Sequence, residues 1–323
     1  MEQLMISFVV PSYNEAGNVE KVMDAIAKEM QHQQAGFEVL FIDDGSSDGT
    51  MDEIRHVLHS YSEAGYVSFT RNFGKEAAIL AGLQHAKGQA VIVMDADLQH
   101  PPSLIPELLK GFEEGYDQVV AKRNRNGESK MRTFLSKSYY KFVNNAIDVR
   151  LSDGEGDFRL LSRKAVDSLL LLSESNRFSK GLYAWIGLEQ KTISYENIVR
   201  QHGETKWSFG KLLNYAVDGI VSFNTKPLRL CFYIGLFTLS SALIYIVATF
   251  VSIFLNGIDV PGYFTTISSV LFLGGIQLVS LGIIGEYVGR IYNETKKRPH
   301  YLIGQASVEM KGKQDQHATI HRS

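Results

Sequence analysis

The chain has 323 residues, a formal net charge of −2 at neutral pH, 45% hydrophobic residues and one cysteine. It is long enough for a full-sized domain and something further, sets up no global field that would draw it to nucleic acid, and its lone Cys231 excludes an intramolecular disulfide. No Cys/His cluster stands at zinc spacing, and the opening MEQLMISFVVPSYNE has no basic lead-in and stops being apolar at Pro11, so it does not read as a secretory leader.

Up to about residue 125, short β-branched or apolar runs alternate with helical patterns. ISFVV is followed by a helix from about 17, EVLFI by one from about 50, YVSF by one from about 75, AVIVM by one from about 103, and then comes DQVVA. This alternation predicts an α/β fold with a mostly parallel sheet and helices on both faces. Parallel strands present their carboxyl ends together, so three polar loops should meet at one edge. They are PSYNE at 11–15, DDGSSDGT at 43–50 and DADLQ at 95–99. No G-x-G-x-x-G follows the first strand and no P-loop pattern occurs anywhere, which disfavours dinucleotide dehydrogenases and P-loop enzymes.

Asp95 and Asp97 stand two apart after the buried-strand pattern AVIVM. In an extended segment both side chains leave on one side of the backbone. Unpaired, they repel; a hard divalent ion such as Mg²⁺ or Mn²⁺, shared with substrate phosphates, resolves this. A solvated turn ahead of a proline-capped helix is the plainer reading of the same residues.

Two later segments are amphipathic. In residues 130–147, Met131, Phe134, Leu135, Tyr139, Phe142 and Val143 form one stripe, with Lys130, Arg132, Lys137 and Lys141 elsewhere on the wheel. Residues 208–223 repeat the pattern with Phe209, Leu212, Leu213, Ala216, Val217 and Ile220. Either stripe could pack on a core; beside a membrane anchor, basic helices with aromatic residues suit the bilayer surface.

That anchor is written next. Residues 230–255 and 260–285 are free of charge, each longer than the ~20 residues that cross a bilayer core, and only NGID lies between them. The expected organisation is a domain over 1–225, a transmembrane hairpin over 226–292 with spans at about 230–255 and 260–288, and a partly disordered tail over 293–323. Lys226 and Arg229 flank the first span, and Arg290, Lys296, Lys297 and Arg298 the second, so both outer ends and both termini are expected in the cytoplasm.

Taken together in this order and spacing, the three loops resemble the nucleotide-sugar half of the family 2 glycosyltransferases, which have the GT-A fold. RNFGKEAAILAG at 71–82, GDFRLLSR at 156–163 and RQHGETKWSFGKLLNYAVDGIVSF before the two spans are similar to the polyprenyl-phosphate glycosyltransferases, whose relatives include dolichol-phosphate mannosyltransferase and the bactoprenol glucosyltransferases. The resemblance runs from about residue 5 to 300.

It implies that Pro11, Tyr13, Glu15, Asp43 and Asp44 hold the uracil and ribose of a UDP-sugar, with Arg200 closing over the donor. Asp95, Asp97 and Gln99 would hold Mg²⁺ or Mn²⁺ on the diphosphate, and Arg123, Arg132 and Ser136 the acceptor phosphate. Many relatives have an acid where this chain has His100, so metal ligation is not extended there. Asp157 stands where related enzymes place a catalytic base; an orienting or electrostatic role is equally open, and a purely structural one beside Arg159 is the plainer alternative.

The expected activity is inverting transfer of a hexose, glucose or N-acetylglucosamine, from a UDP-sugar to undecaprenyl (polyprenyl) phosphate at the cytoplasmic face of the cell membrane. The product would be a lipid-linked sugar donor for cell-envelope glycosylation. The family points to a homotetramer, and the sequence leaves the oligomeric state open. A processive polysaccharide synthase is the nearest rival, but its Q-x-x-R-W segment is missing. A membrane scaffold or transporter is the rival of another class, and charge-free spans speak against a transport path.

Overall fold

In the computed structural model, residues 3–124, 154–174, 177–195, 226–256 and 262–308 are described. Both expected interfacial helices, 130–147 and 208–223, lie outside these residues, as does the turn between the two long helices. The first half alternates as its sequence dictates: β1 (Met5–Ser12), α1 (Val19–Met30), β2 (Gly36–Asp43), α2 (Thr50–Ser60), β3 (Ala64–Phe69), α3 (Lys75–His85), β4 (Ala90–Val93), α4 (Ile105–Glu113) and β5 (Gln118–Arg123). After the gap come β6 (Glu155–Ser162), α5 (Arg163–Leu171), α6 (Ser179–Trp185) and β7 (Gln190–Tyr195). Two long helices, α7 (Lys226–Asn256) and α8 (Tyr263–Lys296), and a last strand, β8 (Ile303–Ala306), complete the described chain.

The strands form one sheet in the order β7-β5-β6-β4-β1-β2-β3-β8. β1 pairs in parallel with β2 and β4, β2 with β3, and β5 with β7, while β6 and β8 run antiparallel to their neighbours. The sheet is thus mixed but mostly parallel, and its central strands are apolar on both faces because both faces are covered. Ile6, Phe8, Val10, Phe41 and Ile92 pack with α1, α2 and α4; Val9, Leu40, Ile42, Val91 and Val93 pack with α3 and α5.

α7 has 31 residues and α8 has 34, and ~30 residues of α-helix reach about 45 Å, more than a bilayer core. Their large apolar side chains face outward: Phe237 is 73% exposed, Phe254 84% and Leu278 72%. A water-soluble surface does not carry such a continuous apolar patch, and the stretch Phe272–Lys296 alone has the length and composition of a membrane span. α8 runs on past the charge-free stretch through Glu286, whose carboxylate meets Arg290 at 3.1 Å. α8 stops at Lys297, which takes the left-handed conformation at φ 48°.

The first part of the tail is ordered. Residues 299–308 do not trail away: β8 pairs with the edge of β3, and Ser307 N–H donates to the Tyr66 carbonyl. Tyr301 is 1% exposed, stacks on Phe69 with ring centroids 4.7 Å apart, and donates its hydroxyl to Gln84. With only four strand residues and no long apolar run, this segment reads as tail in the sequence, and it is long-range burial of one tyrosine that makes it structure. Through β8 the chain that follows the second long helix returns to the same sheet as β1.

Removing a buried aromatic side chain costs about 3 to 5 kcal/mol, so Tyr301→Ala should lower the thermal midpoint of the detergent-solubilised chain by about 6 °C or more. An unchanged midpoint would show that β8 is not part of the folded unit.

Candidate active site

The sheet's carboxyl edge is built by backbone before any side chain acts. PSYNE and DDGSSDGT are tied loop to loop: Asn14 N–H donates to Ser46 Oγ at 3.0 Å, Ser47 N–H to Asn14 Oδ1 at 2.9 Å, and Glu15 N–H to Thr50 Oγ1 at 2.8 Å. Asn14 takes φ 54°, a left-handed conformation that asparagine tolerates well. Pro11 closes β1 opposite Ile42, and Tyr13 is half exposed beyond it.

Asp43 and Asp44 are both buried and both shape loops. Asp43 accepts from Ser46 N–H at 3.0 Å and from Ser68 Oγ at 2.6 Å. Asp44 Oδ1 accepts from Phe73 N–H at 2.6 Å, and Oδ2 from Gly74 N–H at 2.9 Å. Burial pushes the Asp44 carboxyl up, and those two backbone donors oppose it. One edge of this carboxylate pair thereby fixes the loop that leads into α3.

The second pair lies past β4. Asp97 accepts from the Gln99 backbone N–H at 3.1 Å and from the Gln99 side-chain amide. The turn that permits this places Leu98 at φ 53°, a strained conformation for a branched side chain, of the kind that functional loops store. β4 and β6 are antiparallel with Val93 opposite Arg159, so two residues further on the register brings Asp95 level with Asp157, both on the face that α3 covers.

Lys75, the first residue of α3, closes the gap. Its ammonium lies 2.6 Å from Asp95 Oδ1 and 2.7 Å from Asp157 Oδ2. Burial alone would lower the lysine, yet the two carboxylates raise it. Burial pushes Asp157 up, but the Lys75 ammonium outweighs this and holds the carboxyl below its usual range, so Asp157 is ionised at neutral pH. Glu15, across the edge, is raised by burial first and by the negative charges of Asp97 and Asp95.

Behind these groups sits a supporting layer. Glu76 accepts from Ser179 N–H at 3.1 Å and from its hydroxyl, joining α3 to α6. Arg159 is buried over the Tyr183 ring at 3.8 Å and donates to the Gly156 carbonyl at 2.9 Å. On the other side, the His100 ring stacks on Phe158, and its Nδ1 is 2.6 Å from the Tyr195 hydroxyl. Burial lowers the His100 imidazole. Arg123 ends β5 level with Tyr195.

The structure therefore brings Glu15, Asp95, Asp97, Gln99 and Asp157 to one edge, with Pro11, Tyr13, Asp43 and Asp44 on the adjoining loops and Arg123 at the strand end beyond β6. Arg132, Ser136 and Arg200 lie outside the described residues. Lys75 is the residue that reading the motifs one at a time overlooks. Its signal is a Lys-Glu pair opening a helix in an otherwise apolar stretch, two charges that a helix start alone does not need.

Among the described residues no three His, Cys, Asp or Glu side chains form a closed metal cage. Asp95, Asp97 and the Gln99 amide oxygen would offer only hard oxygens, a set that would suit Mg²⁺ or Mn²⁺ completed by water and phosphate rather than zinc or copper.

Residues 7–170 match the model of glycosyl transferase family 2, and residues 226–291 that of the GtrB C-terminal hairpin. CsbB of Bacillus subtilis (strain 168), named as a glycosyltransferase, is 61% identical over 96% of this chain and 94% of its own. The prophage bactoprenol glucosyl transferase homolog of Escherichia coli (strain K12) is 40% identical over 93% of this chain and 98% of its own. Glucosyl-3-phosphoglycerate synthase from Mycobacterium tuberculosis, crystallised with Mn²⁺, UDP-glucose and phosphoglyceric acid, overlaps at 23% identity with a TM-score of 0.45, covering 68% of this chain and 78% of that one.

Gly45 lets the DDGSSDGT loop pass the neighbouring strand end: it takes φ +67°, and a Cβ there would run into the Arg71 backbone. Gly115 has φ +98° but open space around it. Gly115→Ala should therefore show only the conformational penalty of about 1 kcal/mol, whereas Gly45→Ala should lower the thermal midpoint several times as far. Equal shifts would mean that the two loops are not in contact.

Proposed function

The chain belongs to glycosyl transferase family 2 and carries the family's GtrB-type hairpin, and we propose that it transfers a hexose from a UDP-sugar to undecaprenyl phosphate, or a similar polyprenyl phosphate, at the cytoplasmic face of the membrane. The supporting observation is that the carboxylates gather on one edge of a sheet that is tied, through β8, to the far end of an apolar hairpin. Such a placement suits a water-soluble donor and an acceptor that offers only its phosphate at the bilayer surface. The relatives named for bactoprenol glucosyl transfer favour glucose as the hexose and a polyprenyl phosphate as the acceptor. In this reading residues 1–225 form the catalytic domain, 226–292 the membrane hairpin, and 293–323 a tail whose first part rejoins the sheet.

PSYNE and the Asp43–Asp44 loop line the uridine side, with Arg200 over the donor. Asp95, Asp97 and Gln99 face the diphosphate. A divalent cation held there supplies positive charge against the negative charge that grows on UDP as the sugar C1–O bond breaks. Arg123, Arg132 and Ser136 receive the acceptor phosphate, for which guanidinium is the better match because it binds bidentately and keeps its charge. One phosphate oxygen attacks C1 from the face opposite UDP, so the C1–O bond to the acceptor forms as the bond to UDP breaks, and UDP leaves with that electron pair.

The acceptor needs little help to become a nucleophile, since a phosphate monoester has its second pKa near 6 and is mostly dianionic at neutral pH. A carboxylate whose pKa is held low is also a poor proton acceptor. Asp157, kept ionised by Lys75, is for both reasons an orienting and electrostatic group at C1 rather than a base.

Detergent-solubilised protein should release UDP from UDP-glucose only when Mn²⁺ or Mg²⁺ and undecaprenyl phosphate are both present, and the lipid product should gain one hexose by mass spectrometry. Asp97→Asn, which removes an anionic ligand, should reduce this release to background. Metal-dependent turnover at the wild-type rate in that variant would overturn the assignment of the site.

A further inference from the structure

We infer that Lys75 is a resident counter-cation: with no donor bound its ammonium neutralises Asp95 and Asp157, and a divalent cation reaches Asp95 only by displacing it. The inference rests on the metal-dependent reading above. Its consequence is that metal and nucleotide load together, because a diphosphate brings the negative charge that lets two cations occupy one edge.

The geometry supports this in three ways. The ammonium contacts one carboxylate of each class, Asp95 of the diphosphate group and Asp157 at the sugar, at 2.6 Å and 2.7 Å. A cation on Asp95 would come within a few ångströms of it, where two like charges repel strongly even at the effective dielectric of a protein surface.

The base of the side chain is fixed, and only its tip is held by the two carboxylates. Asp44 caps Phe73 and Gly74 just before it, Glu76 just after it is held by Ser179, and the helix is closed by Ala77 and Ala78 N–H groups donating to the Gly74 carbonyl. From that anchored Cα a flexible four-carbon stem carries a compact charge. The Lys75 side chain as a whole is 44% exposed, against 28% for Asp95 and 17% for Asp157, so its stem runs along the outer side of the two carboxylates.

On leaving Asp95 it keeps Asp157. Lys75 is therefore a positioning residue with two arrangements: it either bridges Asp95 and Asp157 or, with a divalent cation on Asp95, stays with Asp157 alone.

The test is Mn²⁺ binding, read by electron paramagnetic resonance on the full chain in detergent, with and without UDP. Without UDP, Lys75→Gln should bind Mn²⁺ at least about fivefold more tightly than the wild type, since the repelling charge is gone. Lys75→Arg, which keeps the charge, should bind it as weakly as the wild type. UDP should tighten Mn²⁺ binding strongly in the wild type and less in Lys75→Gln. Equal or weaker Mn²⁺ binding by folded Lys75→Gln overturns the inference.

If that variant does not fold, Asp157→Asn carries the test from the other side. With Asp157 neutral, the ammonium is left wholly to Asp95 and Mn²⁺ affinity should fall; an unchanged affinity overturns the inference. Wild-type protein that binds no Mn²⁺ even with UDP would remove the metal-dependent reading itself, whereas Mn²⁺–UDP binding that is indifferent to Lys75 would remove only the counter-cation.

Discussion

Carboxylates brought to one edge of a sheet repel one another, and a fold that gathers Glu15, Asp95, Asp97 and Asp157 there has to supply positive charge. The requirement explains much of the local architecture. It accounts for a lysine at the first position of α3, directly between Asp95 and Asp157. It also accounts for the amount of structure spent on holding that helix start in place, from the Asp44 cap in front to the Glu76–Ser179 contact behind. A buried carboxylate that loses its partner is far more costly than one exposed to water, so the arrangement tolerates exchange of one cation for another but not removal of both.

The second constraint is spatial. An acceptor confined to a bilayer has to meet a donor confined to water, and the catalytic edge has to be kept at their boundary. α7 and α8 expose apolar side chains along their length, while β8 extends the sheet beyond β3. The far end of the hairpin is thus fastened to the sheet by β8 and by Tyr301 packed on Phe69.

Most of the α/β half is legible in the sequence because its strands are apolar runs of ordinary length set between helical patterns, so local preference and tertiary burial agree. ISFVV, EVLFI and YVSF fall within β1 to β3, while AVIVM runs one residue past β4 and DQVVA begins one residue before β5. The two Asp pairs are legible too, since they follow strands whose carboxyl ends must converge. What escapes is long-range. β8 has four residues and is defined by its partner rather than by its own pattern. Lys75 belongs to the site because antiparallel β6 returns Asp157 beside β4, and no spacing along the chain announces that register. Gln99 folding back on Asp97 depends on a left-handed Leu98, which sequence preference argues against.

The central claim is that this edge accepts a divalent cation together with a nucleoside diphosphate, each making room for the other. Coupling between two sites is reciprocal and commonly amounts to a five- to 150-fold change in affinity. The direct measurement is a pair of calorimetric titrations of the wild-type chain with UDP, one with Mn²⁺ present and one with the metal removed by chelation. The account predicts that UDP binds about tenfold or more tightly with the metal. Equal UDP affinity in the two titrations would contradict it.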